Sequence, residues 1–160
     1  MGYYSEVAFA TRQKTYMKML KEAKHNEKIL NFITNRGTYV SRIGEGDDAV
    51  VILEWFSVKW YDDFDEVKFI EEWMRRGDCE LDDIQYSFVR LGEDYEDIEV
   101  RNSPDYQLDC YIYPQHSIYV DGNAESYTPK IPEDDESEED LTESEPEDGE
   151  DAMRGFLFGG

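Results

Sequence analysis

The longest β-favouring run in the chain is Ala49–Trp60, AVVILEWFSVKW. β-Branched and aromatic side chains suit a pleated, half-buried surface, so this run predicts a central strand. A strict two-residue repeat puts Val50, Ile52, Phe56, Val58 and Trp60 on one face. It puts Val51, Leu53 and Trp55 on the other, with Ser57 and Lys59 towards the end. Apolar residues on both faces predict helices covering one side and partial cover on the other. Glu54 interrupts the first face. It reads either as an edge or bulge carboxylate or as a buried carboxylate with a function.

The rest of the chain falls into place around that strand. Ser5–Thr11 alternates Val7 and Phe9 with Ala8 and Ala10 and predicts a first strand. Thr11 is placed to cap a helix running from Arg12 to about Ile33, with His25-Asn26 as a point of interruption and Gly37 beyond its stop. Thr38–Ile43 predicts a second strand, joined to the central one by the turn at 44–48. Asp62, Asp63 and Asp65 offer caps and N-terminal charge for a second helix over Phe64–Arg76, ended by Gly77. Glu71–Arg75 and Glu72–Arg76 have the spacing of i,i+4 pairs. Further strands are expected over Asp83–Leu91, Asp97–Arg101, Tyr106–Tyr113, ended by Pro114, and Ser117–Val120. The order β-α-β-β-α-β-β-β predicts an α+β fold: a mainly antiparallel sheet of five or six strands with both helices on one face. Its beginning has a ferredoxin-like order. The composition places a globular domain over 1–124, an acidic tail over 125–152 and an apolar tip over 153–160. The acidic tail has too little apolar surface to offset its ordering entropy, which predicts disorder.

Charge changes this picture most. The net charge is −23. Residues 1–130 carry 26 acidic and 15 basic side chains, and residues 131–160 carry 13 acidic and one basic. Such a chain repels nucleic acid and anionic membrane and attracts basic surfaces, unless the acidity serves solubility alone. One segment runs against the trend. Arg12, Lys14, Lys18, Lys21, Lys24 and Lys28 crowd the exposed side of the first helix, opposed only by Glu22 and Glu27. This is either a solvated helix face or a dock for an anion, whether nucleic acid or the protein's own tail. Two cysteines, Cys79 and Cys110, make no disulfide framework, so a reducing host-cell cytoplasm is the expected setting. No run has the length and apolarity of a membrane span, and the N-terminus lacks a signal-peptide pattern.

Catalytic signals are weak. His25 and His116 have no cysteine or carboxylate at metal-ligand spacing, and there is no CxxC, phosphate-cradling glycine loop or nucleophile elbow. The carboxylates around Gly92–Asp97 could ligate a hard cation, although solvated turn acids are far commoner. The expectation is a non-enzymatic protein with no cofactor and no metal.

Two parts of the chain carry a resemblance. The opening Met1-Gly2-Tyr3-Tyr4-Ser5-Glu6-Val7-Ala8 is one. The other combines Val58-Lys59-Trp60-Tyr61, Tyr86-Ser87-Phe88-Val89-Arg90-Leu91-Gly92-Glu93-Asp94 and Asp97-Ile98-Glu99. Together they resemble small uncharacterised proteins of tailed bacteriophages and prophages, over about the first two thirds of the chain. The resemblance implies a phage origin and a host-cell setting, and it carries over no catalytic residues.

Charge and setting together favour an acidic protein that blocks a basic, nucleic-acid-binding surface of a host defence or nucleic-acid-processing protein, as a DNA mimic would. At one charge per about 1.7 Å of duplex, the front part's charge matches roughly 19 Å and the whole chain's about 39 Å. The partner-binding candidates are Asp62, Asp63, Asp65, Glu93, Asp94, Glu96, Asp97 and Glu99, with Phe156, Leu157 and Phe158 as an aromatic tip for a partner's pocket. A second reading is a replication or recombination accessory protein. Its basic first helix would touch single-stranded nucleic acid, its acidic tail would compete for that helix, and the tip would recruit partners. A third is a virion or assembly component. Direct nucleic-acid binding is not expected while the tail is present.

Overall fold

The computed structural model describes residues 2–79, 83–105, 107–109, 111–115 and 117–132. Cys110, His116 and the tip at Phe156, Leu157 and Phe158 lie outside the described residues, as does the acidic run from 133. The elements in order are β1 (Ser5–Arg12), α1 (Gln13–Ala23), α2 (Glu27–Phe32), β2 (Tyr39–Ile43), β3 (Val50–Val58) and α3 (Asp65–Asp78). Then come β4 (Tyr86–Leu91), β5 (Ile98–Asn102), β6 (Ile112–Pro114), β7 (Ile118–Val120) and β8 (Glu125–Ser126).

The fold is α+β, built on a six-stranded sheet of order β5-β4-β1-β3-β2-β8. Every neighbouring pair in that sheet is antiparallel. Its middle, β4-β1-β3-β2, is the split β-α-β order of a ferredoxin-like unit, with helices crossing from β1 to β2 and from β3 to β4. β5 widens the sheet on one side and β8 on the other. β6 and β7 pair separately as a hairpin.

The two faces of the sheet are packed differently. One carries large side chains: Phe9, Leu53, Trp55, Tyr86 and Phe88 are all buried. Phe32 of α2 stacks on Trp55 with ring centroids 4.7 Å apart, and the Trp55 indole N–H donates to the Phe32 carbonyl at 2.9 Å. The other face is lined by Ala8, Ala10, Val50, Ile52 and Val89, onto which Leu108, Ile112 and Ile118 pack. Small side chains there let the β6–β7 hairpin come close. Glu6 helps to anchor it, accepting from Ser117 Oγ at 2.8 Å and from Ile118 N at 3.2 Å.

The central strand departs from a strict two-residue repeat. Val7 pairs with Trp55, but Ser5 pairs with Val58, so three steps on β3 match two on β1. That β-bulge reverses the facing of every residue beyond it. Val58 and Trp60 therefore do not share a face with Val50 and Ile52. Trp60 instead joins the helix-side cluster, 5.8 Å from Phe32, 5.5 Å from Trp55 and 5.6 Å from Phe88.

Other boundaries also differ from expectation. Thr11 caps no helix. It remains in β1 and donates to the Gln85 carbonyl, while Arg12 takes the N-cap position without a side-chain capping bond. The expected long first helix breaks into α1 and α2 around His25-Asn26, where Asn26 accepts from Ile29 N and caps α2. No aspartate side chain caps α3, whose N-cap is Phe64. Gly77 lies inside α3 rather than ending it. A Cβ there would come within 2.9 Å of the Tyr86 ring, so close packing against β4 explains the glycine. Glu72 pairs with both Arg75 and Arg76, and Glu71 turns to Arg101 instead of Arg75. β4 starts at Tyr86, after Asp83 with φ 56°. Of the strand expected over Tyr106–Tyr113, the described residues place only Ile112 and Tyr113 in a strand, β6, with Pro114 as its last residue. Chain pairing also runs past residue 124, because β8 meets Ser41 and Arg42. The compact unit that includes it spans Met1–Lys130.

Candidate functional site

β3 and β4 both run antiparallel to β1, so their C-terminal ends emerge beside the start of β1. Asp62 and Asp63 lie in the turn after β3 and Asp65 opens α3, while the turn after β4 carries Glu93, Asp94, Glu96 and Asp97. Residues 2–4 lie between these turns and tie them together. Tyr3 N donates to Tyr61 Oη at 2.8 Å, and Tyr3 Oη donates to Asp97 at 2.7 Å. Tyr4 N donates to Glu93 at 2.7 Å, and Asp94 N donates to Tyr3 Oη at 3.2 Å. Two acidic turns distant in sequence thus form one end of the sheet. Asp62, Asp63, Asp65, Glu93, Asp94 and Glu96 are exposed there.

Asp97 and Glu99 behave differently from those six. They face Arg90, whose side chain is only 17% exposed. Arg90 donates to Asp97 at 2.8 and 3.1 Å, to Glu99 at 3.0 Å and to Ser5 Oγ at 3.2 Å. These bonds, and that from Tyr3, hold the Asp97 carboxyl below its ordinary pKa. Arg101 extends the network, donating to Glu71 at 2.7 Å and lying 3.6 Å from Asp78. Tyr86 Oη donates to Asp78 at 2.5 Å. On α3, Arg75 holds Glu72 by two bonds of 2.7 and 2.9 Å, and the Glu72 pKa falls to about 2, chiefly through those bonds. Apart from Tyr86, these groups line a cleft of about 890 Å³ whose wall includes Trp60 and Tyr61. Sequence reasoning missed Arg90, Arg101, Tyr3 and Tyr61. A signal existed: Arg90 lies directly opposite Glu99 once the β4–β5 register is set.

The basic residues are more engaged than their spacing suggested. Arg12 donates to Gln85 Oε1 at 2.8 Å and to the Asp48 carbonyl at 2.7 Å. Lys14 lies 3.4 Å from Asp83, and Lys28 lies 3.5 Å from Glu66. Lys18 and Lys21 are exposed and Lys24 is half-buried. Arg76 of α3 reaches Glu22 of α1 at 3.5 Å.

Glu54 sits two residues before the bulge. It is half-buried and paired with Ala8, and burial, then the nearby charge of Glu6, pushes its pKa up. Among the described residues, no group of three or more His, Cys, Asp or Glu is placed to hold a metal ion. No described helix is long and apolar enough to cross a membrane. Comparison with protein-family models, curated proteins and solved structures finds no match for this chain.

Proposed function

We propose that this chain is a non-enzymatic acidic binding protein of phage origin that occupies a basic, nucleic-acid-binding surface on a host protein. The observation that carries the reading is the union of the two acidic turns by Tyr3 and Tyr4. Six exposed carboxylates from two parts of the sequence share one end of the sheet. Concentrated charge of one sign steers association with a surface of the opposite sign. The further charge of residues 131–160 adds to the same attraction. The accessory-protein reading draws less support, because Arg12, Lys14 and Lys28 on the basic segment already have partners within the protein.

The test is capture from a bacterial host lysate on the immobilised full chain, with elution by salt steps and by competing duplex DNA. Retention of DNA-binding proteins is expected to fall by more than tenfold as salt rises from about 50 to about 200 mM. Changing Asp62, Asp63, Asp65, Glu93, Asp94 and Glu96 to Asn or Gln is expected to abolish capture. Retention that ignores salt, or that survives all six changes, overturns the reading. A parallel capture without residues 131–160 separates the body's contribution from the tail's.

A further inference from the structure

Among the described residues, β5 has one neighbour, β4, and its other edge is open. Open edges in native sheets are usually blunted by charged side chains, Lys above all, or by Pro, a bulge or a covering segment. β5, Ile98-Glu99-Val100-Arg101-Asn102, contains neither Lys nor Pro, its two charges are of opposite sign, and its register with β4 is unbroken. Ile98 and Val100 are 49% and 50% exposed.

We propose that β5 pairs antiparallel with β5 of a second copy of this chain, about a two-fold axis at Val100. The two sheets then join edge to edge. This inference goes beyond the proposed function and does not depend on it.

The backbone has the right phase. Gly92 N donates to Asp97 O at 2.8 Å, and Ser103 N donates to Tyr86 O at 3.0 Å. Hydrogen-bonded pairs alternate along an antiparallel ladder. Glu99 and Arg101 therefore direct their backbone groups to β4, while Val100 and Asn102 direct theirs to the open edge. An axis at Val100 lets each Val100 N–H donate to the Val100 carbonyl of the other copy.

The side chains agree with the same register. Glu99 of each copy faces Arg101 of the other, and Val100 meets Val100. Moving the axis by one residue would set Glu99 against Glu99 or Arg101 against Arg101, and like charges directly opposite are destabilising. The strand is thus complementary to itself at one centre and repulsive at the next on either side. The acidic turns do not oppose this pairing. Glu96 lies four residues from the axis, which puts the two copies of it about 27 Å apart along the strand. That exceeds the Debye length of about 8 Å at physiological salt.

Sedimentation of the full chain from low to high micromolar concentration tests the proposal. The mass is expected to rise from 18.8 kDa towards twice that value. Val100→Pro deletes an N–H that points away from β4, so it removes bonds across the axis and none from the β4–β5 ladder. Ile98→Lys adds a charge at the same edge. Each variant is expected to weaken self-association at least tenfold, with an unchanged far-UV spectrum. A wild-type chain that stays at 18.8 kDa throughout overturns the proposal. So does a dimer that a folded Val100→Pro or Ile98→Lys chain forms equally well.

Discussion

The acidic end of the sheet and the basic face of α1 are both dense in charge, yet they present it differently. At the acidic end, Asp62, Asp63, Asp65, Glu93, Asp94 and Glu96 point outward, and only Asp97 and Glu99 are turned inward to Arg90. On the basic segment, Arg12 is held by Gln85 and Asp48, Lys14 by Asp83 and Lys28 by Glu66. The partners of Arg12 are neutral, whereas Lys14–Asp83 and Lys28–Glu66 are exposed ion pairs, which contribute only about 0–1 kcal/mol each to stability. The two pairs still cancel part of the field that a partner would feel. A count of charged residues therefore ranks the two regions poorly. What distinguishes them is which charges already have an opposite number inside the protein.

The comparison breaks first at Arg90. If it holds the acidic turn in place, Arg90→Met leaves Asp97 and Glu99 facing each other without their shared cation. Removing one partner of a buried pair costs about 3–5 kcal/mol, and this partly exposed site warrants about 2 kcal/mol. Urea unfolding should show a lower midpoint with an unchanged slope. A loss below about 0.5 kcal/mol would mean that Asp97 and Glu99 belong with the outward-facing carboxylates after all.

Arg12 sharpens the other side. Arg12→Met removes bonds to Gln85 and to the Asp48 carbonyl and should cost about 1 kcal/mol. Its effect should appear in stability and leave partner capture unchanged. The six outward carboxylates should show the reverse pattern. Converting all of them to amides should change unfolding stability by less than about 0.5 kcal/mol while removing capture. A large stability loss in the amide variant would show that those carboxylates are structural.

Much of the fold was legible because its signals are local. Alternation marked β1 to β4, glycine marked the turn at 44–48, and the strand and helix order implied a split β-α-β arrangement. The acidic turns were visible as composition, but their meeting was not. It depends on β3 and β4 lying on either side of β1 and on Tyr3 and Tyr4 bridging the gap, which are long-range facts. The bulge at the end of β3 was also hidden. Phe56-Ser57 gives no sign of an extra residue, and one residue suffices to move Trp60 to the opposite face. The partners of the basic stripe were hidden for a related reason: helical spacing shows which lysines share a face, and says nothing of the Asp83 and Glu66 that other elements bring to Lys14 and Lys28.

Glu54 offers the smallest and most diagnostic effect, because it belongs to neither region. It is half-buried rather than solvated like Asp62, among the described residues it is not paired with a cation like Asp97, and burial, followed by Glu6, raises its pKa. A carboxyl whose folded pKa exceeds its unfolded one supports the fold most when protonated. That contribution is complete below the unfolded value of about 4.3, and it is lost as pH rises through the folded value. At pH 7 the wild type therefore carries a penalty that Glu54→Gln does not. The substitution should raise Tm by about 1–2 °C at pH 7, with the gain vanishing near pH 4. Because Glu54 is only half-buried, water screens part of the penalty, which keeps the expected shift small. A lower Tm for Glu54→Gln at pH 7 would show that the charge at this position is stabilised by a partner. The contrast between outward and paired carboxylates would then extend to the hairpin face of the sheet.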